Sequence, residues 1–367
     1  GAVFAGGFTL EVASAISMPA LEAASPSRAR EVLEQVASLI EHSLLVRQVG
    51  PTETPRFRML DTVREFALDR LAASGDAEVQ AARAAHAAYI LGLAERLRER
   101  YYGAEYPEVV ALLTAELADV RAALVWAISA ADAETGVRLA IATSAFWATR
   151  GYYPEGQQWL ERAVAHAAPL PAHLRAEASM LAGFLATYAG DITAADRRLN
   201  EGLILARTIP APLTTAMSYL GLGMVALQRG EADAAAELTG QSLAGFEGLA
   251  SQDRETSHLQ SIAFAYRGLI ARIQGDFALA AAMLAEAEQR QRHLNFWWGL
   301  CESLCALGDL MLDRGDPDRA TSHFRESLGL ALAHDQQRRL AEAIDGLARA
   351  AVVQGEPARA ARLFGAA

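Results

Sequence analysis

Cys301 and Cys305 stand one helical turn apart with His293 nearby, a spacing that could turn two thiolates toward one metal ion. A zinc site asks for further ligands at recognisable spacing and the sequence offers none, so two cysteines packed within a helix are the stronger reading. The eight histidines are scattered, with no His-Glu-x-x-His run to bring two imidazoles onto one helical face beside a carboxylate. No Gly-x-Ser-x-Gly elbow frames a serine nucleophile. All 33 basic residues are arginine, which removes the phosphate-loop lysine, Schiff-base chemistry and lysine general bases together. The chain is therefore expected to bind rather than catalyse, with no catalytic residue, metal or cofactor of its own.

The side chains better suited to a ligand are aromatic. Phe296-Trp297-Trp298 opens a helix, and Trp147, Tyr152, Tyr153 and Trp159 surround a turn at Gly151. On the inner wall of a superhelix such rings could stack on a sugar, a base or a peptide side chain, with Arg267 and Arg272 on the same wall. Trp297, Trp298, Arg267, Arg272, Trp147 and Tyr152 are the candidate ligand- or partner-binding residues. The competing reading is that tryptophans at helical spacing fill the core.

The elements that must position them are repeats. Glycines recur at Gly151, Gly190, Gly230, Gly275, Gly315 and Gly355, with gaps of 39, 40, 45, 40 and 40 residues. After the last five comes an acid (Asp191, Glu231, Asp276, Asp316, Glu356), and five residues beyond them an alanine (Ala195, Ala235, Ala280, Ala320, Ala360). Seven residues before them stands a small residue: Gly183, Gly223, Gly268, Gly308 and Ala348. This pattern predicts two helices per repeat, with the glycine ending the first in a left-handed conformation and the acid suiting the positive start of the second. Leu199, Leu238, Leu284, Phe324 and Leu363, eight or nine places after the turn, are expected to fill the groove against the next repeat. The unit around Gly151 departs from the pattern, with Ser144 and Gly156 at the small positions, and reads as an atypical first turn.

Residues 1–75 have another rhythm. Val32 to Leu39 reads as a helix, Leu44–Val49 and Arg56–Leu60 as two short strands joined by a loop from Gly50 to Pro55. Thr62 with Glu65 reads as a capping box, and Val63, Phe66, Ala67 and Leu71 as lining one helical face. Helix, hairpin, helix is the winged-helix pattern. A winged helix suggests DNA, yet residues 1–75 hold seven arginines against nine carboxylates and the whole chain carries a formal charge of -11. Phosphate binding rests on basic residues, so direct nucleic-acid binding is not expected and a spacer packed on neighbouring domains is. The organisation expected is a winged-helix-like domain over 1–75, connecting helices over 76–131 and repeats over 132–367. The fold class is mainly α: a right-handed α-solenoid of tetratricopeptide-like hairpins behind a small α+β domain. No apolar run reaches the roughly 18 residues of a membrane span and the start lacks a basic leader flank, so a cytoplasmic, membrane-free setting is expected.

The repeat resembles the tetratricopeptide repeat, lengthened from about 34 to about 40 residues. Val3-Phe4-Ala5-Gly6-Gly7-Phe8, Ser43-Leu44-Leu45-Val46, Arg58 through Ala67, Val120-Arg121-Ala122-Ala123-Leu124 and Phe146-Trp147-Ala148-Thr149-Arg150-Gly151 carry a second resemblance, as do Glu155-Gly156 and Trp159-Leu160-Glu161-Arg162. They look like the bacterial multidomain regulators of the signal-transducing ATPase class (LuxR-type, MalT-like), along nearly the whole chain. The resemblance implies a helical arm that receives a protein partner or small effector in its groove and restrains an ATPase module of the same polypeptide, with a DNA-binding domain possible elsewhere in it. No Gly-x-x-x-x-Gly-Lys-Ser/Thr stretch occurs, so ATP is expected only at that other module. The chain opens in what reads as mid-domain and ends within the second helix of a repeat, so it is expected to be a piece of a longer protein.

Overall fold

The computed structural model describes residues 2–16, 26–51, 54–130, 132–249, 254–334 and 336–366. Eighteen helices and one two-stranded sheet stand among them. They fall into two compact units, Gly1–Tyr101 with Glu105–Thr143 and Arg162–Leu170, and Tyr102–Ala104 with Ser144–Glu161 and Pro171–Ala367. The helices expected as connectors over 76–131 lie mainly in the first unit.

The first unit begins with α1 (Leu10–Ile16) and α2 (Pro26–Glu41), followed by β1 (Leu45–Val49) and β2 (Pro55–Met59). The strands pair antiparallel with Leu45 opposite Met59 and Val49 opposite Pro55, and Phe8 adds an antiparallel bridge to Phe57. Thr52 and Glu53 of the joining loop lie outside the described residues. Phe4, Phe8, Val12, Val32, Val36, Leu45 and Phe57 bury one shared apolar core. Then come α3 (Asp61–Ser74), α4 (Asp76–Tyr101), α5 (Tyr106–Ala115) and α6 (Leu117–Ser129).

One expectation for α3 fails. Its N-cap position is Leu60 and no side chain caps it, because the helix starts at Asp61, ahead of the Thr62–Glu65 box. No residue of α3 is buried, and Phe66 is 59% exposed beneath the Arg70 guanidinium. Apolar spacing alone did not supply a partner for that face.

A strap of backbone enters the first unit through its side chains. Asp119, fully buried on α6, accepts from the amides of Ala5 (2.7 Å) and Gly6 (2.8 Å) and from His86 Nε2 on α4 (2.9 Å). Arg64 donates to the carbonyl of Phe4, and Arg56 donates to that of Gly7 while pairing with buried Glu116. Four backbone groups that would otherwise be buried without partners are thus satisfied by three distant side chains.

Hairpins follow: α7 (Ala133–Thr149) with α8 (Tyr153–Ala165), α9 (Ala172–Ala189) with α10 (Ile192–Ala206), and α11 (Pro212–Gln228) with α12 (Ala232–Glu247). Then come α13 (Arg254–Ile273) with α14 (Phe277–Leu294), α15 (Trp297–Asp313) with α16 (Pro317–Ala333), and α17 (Gln337–Val353) with α18 (Pro357–Phe364). The six turn glycines have φ between 74° and 82°. In each turn the residue after the glycine donates its amide to a carbonyl five residues back, as Asp191 does to Ala186 and Asp316 to Met311, both at 2.9 Å. This is the paired-bond helix end that only a left-handed residue closes. Of the five acids, the aspartates cap the second helix: Asp191 accepts from Ala194 N, Asp276 from Leu279 N and Asp316 from Arg319 N. Glu231 and Glu356, one methylene longer, make no such bond.

The small residues seven before the turn receive the side chain nine after it. A Cβ on Gly183 would stand 2.5 Å from Leu199 Cγ, one on Gly268 2.7 Å from Leu284 Cγ, and one on Gly308 2.6 Å from the Phe324 ring. Leu238 was expected in this slot, but it is fully buried Thr239, opposite Gly223, that fills it, since helical geometry puts the ninth place inward and turns the eighth aside. Leu363, also in the eighth place, is only half-buried at the edge of a core cluster. The alanines five after the turn are buried, from 0% to 3% exposed. First helices contact the first helices of following hairpins, α9 with α11, α11 with α13, α13 with α15 and α15 with α17. They form the inner wall of the second unit.

Gly183→Ala should cost about 1–3 kcal/mol through overpacking against Leu199. Gly240→Ala, on α12 with open space around its Cβ site, should instead stabilise by about 0.5–1 kcal/mol. Urea midpoints of the two variants check the opposite signs. Asp119→Ala should lower stability by about 3 kcal/mol or more, because it orphans two buried amides and His86 together, and the same titration reads it.

Candidate functional site

The inner wall carries a chain of aromatic rings. His258 on α13 meets Phe296 edge-on at 4.7 Å between centroids, Phe296 lies 6.0 Å from Trp298 on α15, and Trp298 meets Tyr188 on α9 edge-on at 5.6 Å. Tyr188 in turn stacks on Tyr153 at the start of α8, at 5.4 Å. Two arginines at the start of α17 close on this chain. The Arg339 guanidinium sits 4.6 Å from the centre of the Trp298 ring, and that of Arg338 5.5 Å from Tyr153. Cation–ring contacts of this kind gain strength as they lose water.

Carboxylates hold the arginines in place. Arg339 pairs with Glu342 (2.6 Å) and with Glu302 on α15 (3.3 Å), and Glu302 also accepts from the Tyr266 hydroxyl (3.0 Å). Arg338 pairs with Glu342 (2.9 Å) and reaches the Tyr188 carbonyl at 3.4 Å, a bond spanning 150 residues of sequence. The side chain of Arg339 is 4% exposed and that of Arg338 48%. Burial, seconded by the Glu302 carboxylate, pushes the Tyr188 and Tyr266 hydroxyls far above the usual phenol range, so both stay neutral donors. Burial opposes the Arg339 charge, but Glu302 and Glu342 outweigh it and raise its affinity for the proton. Within the network the Nε of Arg339 has no acceptor.

A second charged rung lies two helical turns farther along the same helices. Arg349 on α17 pairs with Asp309 on α15 (2.6 Å) and Asp345 (2.9 Å), and Arg272 on α13 pairs with Asp313 (2.8 Å) and Asp309 (3.7 Å).

Of the residues singled out from sequence, Trp298 stands at the centre of the ring chain and is 6% exposed. Trp297 points elsewhere and stacks on His334 at 4.8 Å with a 14° tilt. Arg272 belongs to the second rung. Arg267, next to Tyr266, buries an Nη1 without a partner. Tyr152 is 38% exposed and lies 6.2 Å from both Phe146 and Trp147. Trp147 is fully buried, and it occupies the space a Cβ on Gly156 would need. The glycine exists to admit it. Tyr188, Arg338, Arg339, Glu302, Glu342 and Tyr266 went unnoticed in the sequence. A signal was present, since Glu302 and Glu342 both stand thirteen places before a turn glycine, and Trp298 and Arg338 both seventeen.

The thiols are inert by placement. Cys301 reaches the Ser327 carbonyl at 3.7 Å and Cys305 the Ser327 hydroxyl at 3.3 Å. Burial pushes them up to about 11 and about 12. Among the described residues no three His, Cys, Asp or Glu side chains converge as metal ligands.

His258 gives the site a pH signature. Burial lowers its pKa from 6.5 to about 4, while Nδ1 donates to the Arg254 carbonyl at 2.6 Å. The unfolded chain then takes up a proton that the folded chain refuses. Stability is full above pH 6.5 and falls as pH drops from 6.5 toward 4, by on the order of 2–3 kcal/mol from this group. In paired urea titrations, His258→Gln should flatten that window relative to the parent chain; an unchanged slope would refute the assignment.

Comparison with known proteins places these two units. Residues 2–72 match the family described as a winged helix-turn-helix domain. Over 230 residues, 60% of the chain, it is 30% identical to proteins named HTH-type transcriptional regulators from Mycobacterium tuberculosis and Mycobacterium bovis. The chain spans about a quarter of the length of these relatives, 25% of each. Its fold is similar to apo RapI (TM-score 0.54, 10% identity, 69% of this chain and 89% of that one). It is also similar to the apo quorum sensor NprR from B. thuringiensis (0.50, 9%, 93% and 92%). A third neighbour is a Signal Transduction ATPase with Numerous Domains protein with a tetratricopeptide repeat sensor from Pyrococcus horikoshii (0.50, 12%, 86% and 48%). The chain is a winged helix-turn-helix domain followed by a tetratricopeptide-like helical array, similar in sequence to part of HTH-type transcriptional regulators.

Proposed function

We propose that this chain is a regulatory arm of a bacterial transcriptional regulator. The inner wall of the repeats receives an effector or partner protein, and occupancy changes the arm's hold on an ATPase module of the same polypeptide. One observation carries the reading: the five-ring chain with Arg338 and Arg339 gathers side chains from α8, α9, α13, α15 and α17. A wall that served only to space other domains would not need buried charge, which costs stability unless something uses it. The similarity to HTH-type regulators and the fold shared with a quorum sensor support the same reading. A ligand can shift such an arm only through its differential affinity for two states, and the bond from Arg338 to Tyr188 is the contact such a ligand would make or break. The arm acts in the cytoplasm and performs no catalysis.

DNA contact by the front unit has the winged helix-turn-helix match on its side. The exposed surface of α2 speaks against it, presenting Glu31, Glu34 and Glu41, with Arg30 already paired to Glu34 at 2.9 Å. A passive scaffold remains the rival for the repeats.

Thermal melts against a metabolite collection, nucleotides and duplex DNA separate these readings. A ligand at about 100 times its dissociation constant adds roughly 2.7 kcal/mol, a shift of several degrees. The expected result is a shift with one chemical class that Trp298→Ala abolishes. A shift with duplex DNA alone would transfer function to the front unit, and no shift with any class would leave the scaffold.

A further inference from the structure

We propose that the outer edge of β1 pairs with the same edge of a second copy of this chain, antiparallel about Val46. This goes beyond the effector-arm reading and does not rest on it.

The sheet leaves one edge unpaired. Phe57 gives its amide and carbonyl to Phe8, at 2.7 and 2.9 Å. In the antiparallel ladder with β1 the bonded pairs are therefore Val46 with Arg58 and Gln48 with Arg56. Leu45, Arg47 and Val49 turn their amides and carbonyls the other way, and no other described strand lies on that side. Edges of this kind are ordinarily blunted by several charges, a proline within the strand or a bulge. Here the strand carries a single charge, Arg47. Val46 is 41% exposed and Val49 82%, and Leu44 and Leu60 beside them are exposed as well.

The edge is complementary to itself. Its outward groups fall on every second residue, so a two-fold axis can pass through Val46, Arg47 or Gln48; nearer either end it would pair Arg47 with Ser43, whose φ of 58° ends the strand, or with Pro51. An axis through Arg47 sets two guanidinium groups face to face, and like charges directly opposed weaken a ladder. Moving it to Gln48 puts Leu45 opposite Pro51, which has no amide to donate. Through Val46 neither fault arises. Leu45 then exchanges both main-chain bonds with Arg47 of the second copy, and the symmetry repeats the exchange. Val46 meets its own equivalent as a non-bonded pair, the closer kind, with about 4.5 Å between Cα atoms. The charge lies off the axis and an exposed apolar side chain lies on it.

Pairing also repairs a weakness of the sheet. Two strands alone are marginal in water, and three or more with an apolar face are what give a sheet its own stability. The junction extends the two-stranded ladder through a second copy of itself, with Leu44 and Val46 covered on one face. Residues 44–48 make a contact of about five residues a side, short of the roughly 20–30 of a standard interface, so the association is reversible and concentration-dependent.

The test is sedimentation velocity of the full chain over a dilution series, in which monomer is expected to pass to dimer as concentration rises. Arg47→Pro removes an amide that the fold leaves free and the pairing uses twice. Val46→Lys places two like charges on the axis. Each should weaken the dimer at least about tenfold while the melting temperature of the dilute monomer holds; should Arg47→Pro unfold the chain, Val46→Lys at its exposed position decides alone. Val46→Cys is expected to cross-link to its equivalent under mild oxidation, since Cα atoms of a non-bonded pair stand within disulfide reach, and Val49→Cys is not. A monomer at every concentration overturns the proposal and leaves the edge to a strand of another protein. A dimer indifferent to Val46→Lys, or one that cross-links through Val49→Cys in preference to Val46→Cys, overturns it by placing the junction elsewhere.

Discussion

Close approach of helix axes is the condition on which the second unit depends. Leu199 is gripped between Gly183 of its own hairpin and Gly221 of the next, and Phe324 between Gly308 and Gly346. A Cβ added on either side would stand 2.4 to 2.6 Å from the ring or branched chain, so the knob would have to shift. Glycine within a helix costs roughly 0.5–1 kcal/mol, and a fully buried leucine returns about 1.5–3 kcal/mol. The exchange stays favourable even where one knob takes two glycines. That arithmetic explains why the small residues come in two sets, seven and nine places before the turn. It also explains why the array cannot tolerate a shift of register.

The cluster of rings and arginines grows from a place where this packing rule is varied. Thr239 is the smallest of the buried knobs, and nine places before the following turn stands Tyr266, where α11, α15 and α17 carry Gly221, Ala306 and Gly346. A large residue replaces a small one where its partner shrank. Tyr266 then has a hydroxyl to place, and it gives it to Glu302. Glu302 holds Arg339, and Arg339 lies over Trp298. The equivalent inner positions of an earlier hairpin, Leu213 and Met217, are apolar. The polar cluster is thus confined to the hairpins whose repeat positions changed from apolar to charged.

What could be read from sequence follows from the range of the forces involved. The turn glycines were fully legible, since a positive φ excludes almost every other residue and leaves its mark at a single position. The alanines and the small residues were legible because contact inside one hairpin fixes their distance from the turn. Leu238 was misplaced by one residue because apolarity was weighed above helical angle, and the true occupant is a threonine whose hydroxyl bonds back to the Ala235 carbonyl. Trp298 and Trp147 were both conspicuous as rings, and both are buried; their different neighbours could not be read from spacing. Arg338 with Tyr188 and Asp119 with Ala5 pair across 150 and 114 residues, and no local spacing records such a bond. They mark the parts of the structure that only folding brings together.

Those long bonds also change how the array can behave. A solenoid whose hairpins touch only their neighbours is quasi-one-dimensional: each joint adds its own stability, and a disturbance at one end dies out along the stack. The bond from Arg338 to Tyr188 breaks that rule by joining the last hairpin to the second. Bending at any intermediate joint must then respect the closure, so the joints of α11, α13 and α15 cease to be independent. The Tyr188–Trp298 ring contact and the Arg338 guanidinium over Tyr153 share in the same closure, so a disturbance at any one of them bears on all the joints between. Coupling over distance in this arm therefore requires no continuous chain of rearranged side chains. It requires a ring, closed here by several long-range contacts.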